Sequence, residues 1–189
     1  DQAVRFARRV NGRVAMKIVS PDILHKTDAG GVALNLQAES DIRKAFEGLL
    51  ANARAFKPQA DIRGVLMAPM AEPGVEVIIG TKIDEQFGPI IMYGLGGVMV
   101  EILKDVAFRV LPISRWSAEA MIQDTKSFPI LDGVRGTPPS DKQALVDLLL
   151  LCSRVVEAYP EIHEMDLNPV IVHADGISLV DARIILRAP

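Results

Sequence analysis

The chain has 189 residues, 49% of them hydrophobic and 24% charged, and its 24 acidic against 21 basic residues leave a formal net charge of −3. That profile supports one domain burying roughly 70% of its unfolded surface in a core of its own, and it excludes the global positive field that would draw in nucleic acid. The single cysteine, Cys152, excludes a disulfide framework or zinc ribbon and points to a reducing, cytoplasmic setting; no run approaches the roughly 18–20 apolar residues of a bilayer span, and no signal-peptide core opens the chain.

The first residues, DQAVRFARRV, already read as a helix, with Val4, Ala7 and Val10 on one face. We therefore expect a piece of a longer chain, cut before this helix. RVAMKIVS (13–20) follows as a strand, DILHKTDAGG (22–31) as a turn-rich loop and VALNL (32–36) as a short strand. A helix starts at Ser40 as N-cap, with Ile42, Ala45, Phe46, Leu49, Leu50, Ala53 and Phe56 at helical spacing and Pro58 beyond its end. Strands are expected at 63–70, 75–80 and 89–94, the first two joined by AEPG, and short apolar strands after the GLGG turn at 94–97. A helix over 118–125, a proline-rich loop over 126–139 and a helix capped by Ser140 with Gln143 come next. A closing hairpin reverses at ADG, residues 174–176. Strands joined by hairpins favour an α+β fold with mainly antiparallel sheets over a doubly wound one.

Four places could carry chemistry. In MDLNPV, Asp166 and Asn168 lie two apart, so on a strand they share a face about 6.5 Å apart. A two-residue turn at Asp175 and Gly176 would set Val170 opposite Asp181 and Asn168 opposite Arg183, bringing Asp166, Asn168 and Asp181 to one side. Such oxygen donors suit Mg²⁺, which keeps waters and takes phosphate oxygens as well. The pattern equally fits a strand ended by Asn-Pro with its acids in solvent. The loop holding His25, Lys26, Asp28, Gly30 and Gly31 could bring an imidazole, a cation and backbone amides to a phosphate, or be a polar surface loop. Lys17, within VAMKIV, could meet a nucleotide phosphate or snorkel from an edge strand. GLGG is followed by neither a P-loop GK[ST] nor a complete GxGxxG, and the Glu101, Lys104, Asp105 and Arg109 that come after it could line a site or form a solvated face.

Four stretches taken together, VAMKIVSPDILHKTDAGGV, GVLMAPMAEPGVEVIIG, YGLGGVMVEILKDVAFRVLPI and EMDLNPVIVHADGISLVDARI, resemble the ATP-grasp domain of the nucleoside-diphosphate-forming acyl-CoA synthetases. This group includes ADP-forming acetate–CoA ligase and is related to the β-subunit of succinyl-CoA synthetase. The resemblance covers essentially the whole chain but for the strand region that usually precedes the first helix. It departs from the pattern at Thr27 and Ala29, where serine and valine are commoner. It implies an α+β ATP-grasp fold with ATP between two lobes, Lys17 at the ATP phosphates, Met70 and Ala71 at the hinge whose backbone meets adenine, and Glu76 near the ribose. Glu101 and Arg109 match the segment near the triphosphate, and Asn168 and Asp181 match the magnesium ligands, with Asp166 beside them. His25 matches a histidine that accepts or positions the phosphoryl group. Implied with these are Mg²⁺ and ATP or ADP as cofactors, CoA-binding and ligase domains as partners, and the activity of an ADP-forming acyl-CoA ligase that passes phosphate through phosphohistidine. The alternative is a regulatory nucleotide-binding domain of a multidomain protein acetyltransferase.

Overall fold

A computed structural model describes residues 1–97, 104–134 and 136–187. Two compact units divide the chain, Asp1–Met70 and Ala71–Pro189. None of the described helices is long and apolar enough to cross a membrane.

The first unit comprises α1 (Gln2–Val10), β1 (Val14–Val19), β2 (Val32–Leu36), α2 (Glu39–Phe56) and β3 (Gly64–Pro69). Its sheet has the order β2-β1-β3, antiparallel throughout. Val14 and Met16 of β1 pack with Val4 and Ala7 of α1 and with Ile42 and Leu49 of α2. Ile18 continues that face against Ala53 and the loop residues Ile23 and Ala29. Asn35, in the left-handed region at φ 59°, marks a bulge where β2 spends an extra residue opposite β1. The second helix begins two residues earlier than expected from Ser40 as its cap. Ala38 is its N-cap, Glu39 and Asp41 occupy the first turn, and no side chain caps it. Acidic side chains at a helix N-terminus offset the exposed amides electrostatically, and Glu39 also pairs with Arg8 and Arg43.

The second unit comprises β4 (Val75–Asp84), β5 (Gly88–Leu95), β6 (Val106–Val110), α3 (Arg115–Gln123), a 3₁₀ turn (Phe128–Asp132), α4 (Lys142–Ala158), β7 (Ile162–Val172), β8 (Ile177–Leu179) and β9 (Ala182–Leu186). Its antiparallel sheet runs β6-β5-β4-β7-β8, with β9 also on β7. One face is covered by α3 and α4, whose Ala118, Met121, Leu145, Leu149 and Cys152 meet Val77, Ile79, Ile91, Tyr93 and Leu167 from the strands. The opposite face carries the intervening residues, among them Glu76, Gly80, Lys82, Met92, Phe108, Glu164 and Asp166.

Two further helix starts differ from expectation. Arg115–Gln123 starts three residues earlier than predicted because the Ser114 hydroxyl accepts from the Ser117 amide at 3.2 Å. The last helix is capped by Asp141 and not by Ser140: one carboxylate oxygen accepts from Ala144 N at 2.9 Å, the other from Gly176 N at 2.9 Å. A charged acceptor with two oxygens holds two amides where a serine holds one.

Candidate functional site

In the first unit, Lys17 sits half-buried on the face of β1 turned away from the helices, opposite Val32 on β2 and Leu66 on β3. Because β1 has a partner on each side, Lys17 is central, and the edge-strand alternative is overturned. A cation at the centre of a sheet face calls for a nearby anion. A concavity of about 1250 Å³ lined by Phe6, Met16, Ile42, Phe46, Val65 and Met67 opens on the helix side of this unit, whereas Lys17 points to the other face.

The loop after β1 is built around two buried anchors, Ile23 and Ala29, with His25 exposed between them. Its glycine amides are spent internally, Gly30 N on Thr27 O at 2.9 Å and Gly31 N on Lys26 O at 2.7 Å. Asn52 of α2 clamps the Gly30 carbonyl at 3.0 Å. The glycines are thus not a free cradle for phosphate. A Cβ on Gly31 would lie 2.7 Å from Ile18 Cγ2, so glycine is needed there for the loop to lie against the strand. What the loop presents outward is the imidazole of His25.

Met70 closes the first unit and Ala71 opens the second, so the residues expected at a hinge fall on the boundary. The Met70 amide donates to Arg13 O at 2.9 Å.

In the second unit, Glu76 is exposed on the face opposite the helices. The glycine turn leans on it: Gly96 N donates to Glu76 O at 2.8 Å, and a Cβ on Gly96 would come within 3.0–3.2 Å of Glu76. The sequence pattern names Glu76 and GLGG separately; pairing of β4 with β5 brings them together. Glu101 lies outside the described residues. Arg109 is placed differently from Glu76. It opposes the buried Ile91, pairs with Asp124 at the C-cap of α3, and donates from Nη1 to Phe108 O at 2.8 Å. It therefore lies on the helix-covered face. Asp105 is likewise committed: burial disfavours its charged form, yet the Ser127 side chain and the amides of Lys126 and Ser127 hold its carboxyl below the usual range.

The closing hairpin reverses two residues away from the expected register. Val172 pairs with Ile177, and the His173 amide donates to Gly176 O at 3.0 Å, so Ala174 and Asp175 form the tip, with Gly176 at φ 82°. A shift of two preserves which face each residue occupies. It places Asp181 directly across from Asn168, whose amide donates to Asp181 O at 3.1 Å, and Arg183 across from Asp166. The alternation of Asp166 and exposed Asn168 with buried Met165 and Leu167 sets both on the face away from the helices. The Asn168 amide and the Asp181 carboxylate, both hard oxygen donors, could seat a magnesium ion that completes its shell with water and phosphate, with Asp166 beside them. Among the described residues no three His, Cys, Asp or Glu side chains form a metal-holding group.

Two neighbours were not singled out from the sequence. Arg183 Nη2 lies 2.6 Å from Glu164 Oε1 and 3.9 Å from Asp166 Oδ2. The same period of two that joins Asp166 to Asn168 extends to Glu164, and that joining Asp181 to its strand extends to Arg183. His173 is structural, with Nε2 on Ser178 Oγ at 2.8 Å and Nδ1 near Pro73 O at 3.3 Å.

A family model described as ATP-grasp domain matches residues 1–186. The chain is an ATP-grasp domain. This ATP-grasp domain is 50% identical to the β subunit of ADP-forming acetate–CoA ligase II of Pyrococcus furiosus, an alignment covering 99% of the chain and 80% of that relative. It matches a dinucleotide forming acetyl-coenzyme A synthetase 1 of Ca. Korarchaeum cryptofilum, solved with coenzyme A and Ca-AMPCP, at a TM-score of 0.93 and 49% identity over 98% of this chain and 81% of that one. A second structure of that enzyme, with coenzyme A and Mg-AMPPCP and a phosphohistidine segment pointing towards the nucleotide binding site, matches at a TM-score of 0.82 and 46% identity, covering 98% and 82%.

Proposed function

We propose that this ATP-grasp domain is the nucleotide-binding, phosphoryl-transferring part of an ADP-forming acyl-CoA ligase, a partial catalytic domain in acyl-CoA + ADP + phosphate ⇌ acid + CoA + ATP. The observation that carries the reading is the pairing of Asn168 with Asp181 on an open sheet face, in a chain sharing half its residues with an acetate–CoA ligase β subunit. In the second unit, Asn168 and Asp181 would hold the magnesium ion of a metal–nucleotide complex, with Asp166 beside them. Bound there, the ion neutralises charge on the transferring phosphoryl group. In the first unit, Lys17 supplies a fixed cation for nucleotide phosphate.

His25 is proposed as the phosphoryl acceptor. One ring nitrogen attacks the γ-phosphorus of ATP, an N–P bond forms as the bond to the β–γ bridging oxygen breaks, and ADP leaves; the reverse makes ATP. Exposure of His25 on an anchored loop suits a residue that must meet a donor and then a second acceptor. Met70 and Ala71 serve adenine through their backbone, and Glu76 the ribose. Arg109, held by Asp124 on the helix side, is better read as supporting its strand. The partners are the CoA-binding and ligase domains that a β subunit requires, in the same chain or complex, and the compartment is the cytoplasm, suited to the buried, unreactive Cys152, whose thiol burial pushes up to about 12. The relatives named above are ligases, which does not favour the acetyltransferase alternative.

The test uses ATP radiolabelled at the γ-phosphate with the chain and its partner subunit. Label is expected on wild-type protein, at least 100-fold less on Asp181→Ala, and none carried on this chain in His25→Ala although that variant still binds nucleotide. Unchanged labelling of this chain in His25→Ala would remove it as the acceptor; unchanged labelling in Asp181→Ala would remove the metal seat.

A further inference from the structure

Across three strands of the second unit, the open face is laid out in rows. Gly80 of β4, Asp166 of β7 and Arg183 of β9 form one row, and Lys82 and Glu164 stand beside each other in the next. Arg183 reaches diagonally from its own row to Glu164 at 2.6 Å while its guanidinium stays 3.9 Å from Asp166. The three side chains are between 27% and 37% exposed, so their charges are only partly screened by water. Arg183 Nε is buried with no hydrogen-bond partner. The guanidinium is therefore positioned by the two carboxylates and not by a cage of acceptors around its whole fork. On the other flank of Asp166, Gly80 has no side chain, and a Cβ there would come into ordinary contact with Met92 Cε at 3.5 Å.

Asp181 lies two residues before Arg183 on the same edge, opposite Asn168. A divalent cation seated at Asn168 and Asp181 must then approach a fixed positive charge that already engages the neighbouring acids. A bare cation meets that repulsion in full, whereas a cation arriving with a nucleoside di- or triphosphate carries compensating negative charge. We propose that Arg183 is a positioning residue that holds Glu164 and Asp166 out of the metal's shell, so that the seat takes its divalent cation as the nucleotide complex and discriminates against the cation alone. This rests on the metal seat of the reading above.

The experiment is titration of the full chain with Mn²⁺ alone, followed by electron paramagnetic resonance of the free ion, then with Mn²⁺ and ADP together. Arg183→Met is expected to bind bare Mn²⁺ about tenfold more tightly than wild type, and Arg183→Lys, which keeps the charge, to stay within about twofold. Adding Asp166→Asn to Arg183→Met is expected to abolish the gain, a readout that loss of packing alone would not reverse. Because Ca²⁺ accepts more carboxylates than Mg²⁺, Arg183→Met also shifts preference towards Ca²⁺. Equal bare-ion affinity in wild type and Arg183→Met overturns the inference. Should Arg183→Met not fold, Glu164→Gln replaces it: releasing the guanidinium towards Asp166 is expected to weaken bare Mn²⁺ binding about threefold, and unchanged or tighter binding overturns the inference. Asp181→Ala separates the two ideas. If it leaves Mn²⁺ binding with ADP unchanged, the metal seat itself is wrong; if it abolishes that binding while Arg183→Met matches wild type, only the role of Arg183 falls.

Discussion

Lys17 pays for its position with partial loss of water at the middle of a central strand, between Val32 and Leu66. A charge-assisted hydrogen bond to phosphate is worth about 1.5–3 kcal/mol, so Lys17→Met, which keeps the apolar stem, should weaken ATP binding by about 10- to 150-fold by calorimetry. Binding as tight as wild type would remove Lys17 from the site. At this scale the face of each residue decides its use. Asp166 and Asn168 could be assigned to one face from alternation alone, because both lie on one strand. Arg109 could not: its face follows from its register opposite the buried Ile91 of β5, which alternation within its own short strand does not fix. His25 was legible as a loop imidazole, but the use of the glycine amides inside that loop depends on carbonyls and on Asn52 from α2, which no local pattern specifies.

Among the elements, α4 shows how one carboxylate ties two parts of the fold. Asp141 caps the helix through Ala144 N and holds the hairpin tip through Gly176 N, and those amide bonds hold its carboxyl below the usual carboxylate range. A depressed folded-state pKa contributes stability that is present above the ordinary value, near 4, and is lost as pH falls through the folded value. Asp141→Asn should therefore lower the melting temperature by a few degrees at pH 7, and the difference from wild type should shrink as the pH falls below the ordinary carboxylate value. A difference that stays constant as the carboxyl is protonated would mean that the charge contributes nothing. The helix was readable from its leucine stripe, whereas its cap was displaced by one residue because the competing serine, Ser140, donates its backbone amide to Leu131 O and turns inward. Similarly, the hairpin tip is drawn to Ala174 and Asp175 by the Asp141 bond to Gly176, which a count of turn-forming residues does not contain.

At the scale of the molecule, each unit is a sheet with helices on one face and candidate site residues on the other, and each has its own core. A domain of this kind binds nucleotide without the acyl-CoA chemistry. The chain alone should gain roughly 5–10 °C in melting temperature from ATP with Mg²⁺ at about 100 times its dissociation constant, lose the gain in excess EDTA, and form no acyl-CoA from acid, CoA and ATP. Adding the partner subunit should start turnover. Acyl-CoA production by the chain alone would overturn the assignment of the ligase step to partner domains.

By itself the amino-acid sequence determined the class of fold, the helices with long apolar stripes, the strands with turn-forming borders, and a set of residues whose joint resemblance names the ATP-grasp family. Those properties are local, carried by periodicity and short-range chemistry. Tertiary structure alone decided that Lys17 is central, that Arg109 serves the helix side, that Asp181 stands across from Asn168, and that Arg183 lies between two acids of the open face. Each of these depends on strand register and on which strand is neighbour to which, and both follow from packing a whole sheet against its helices.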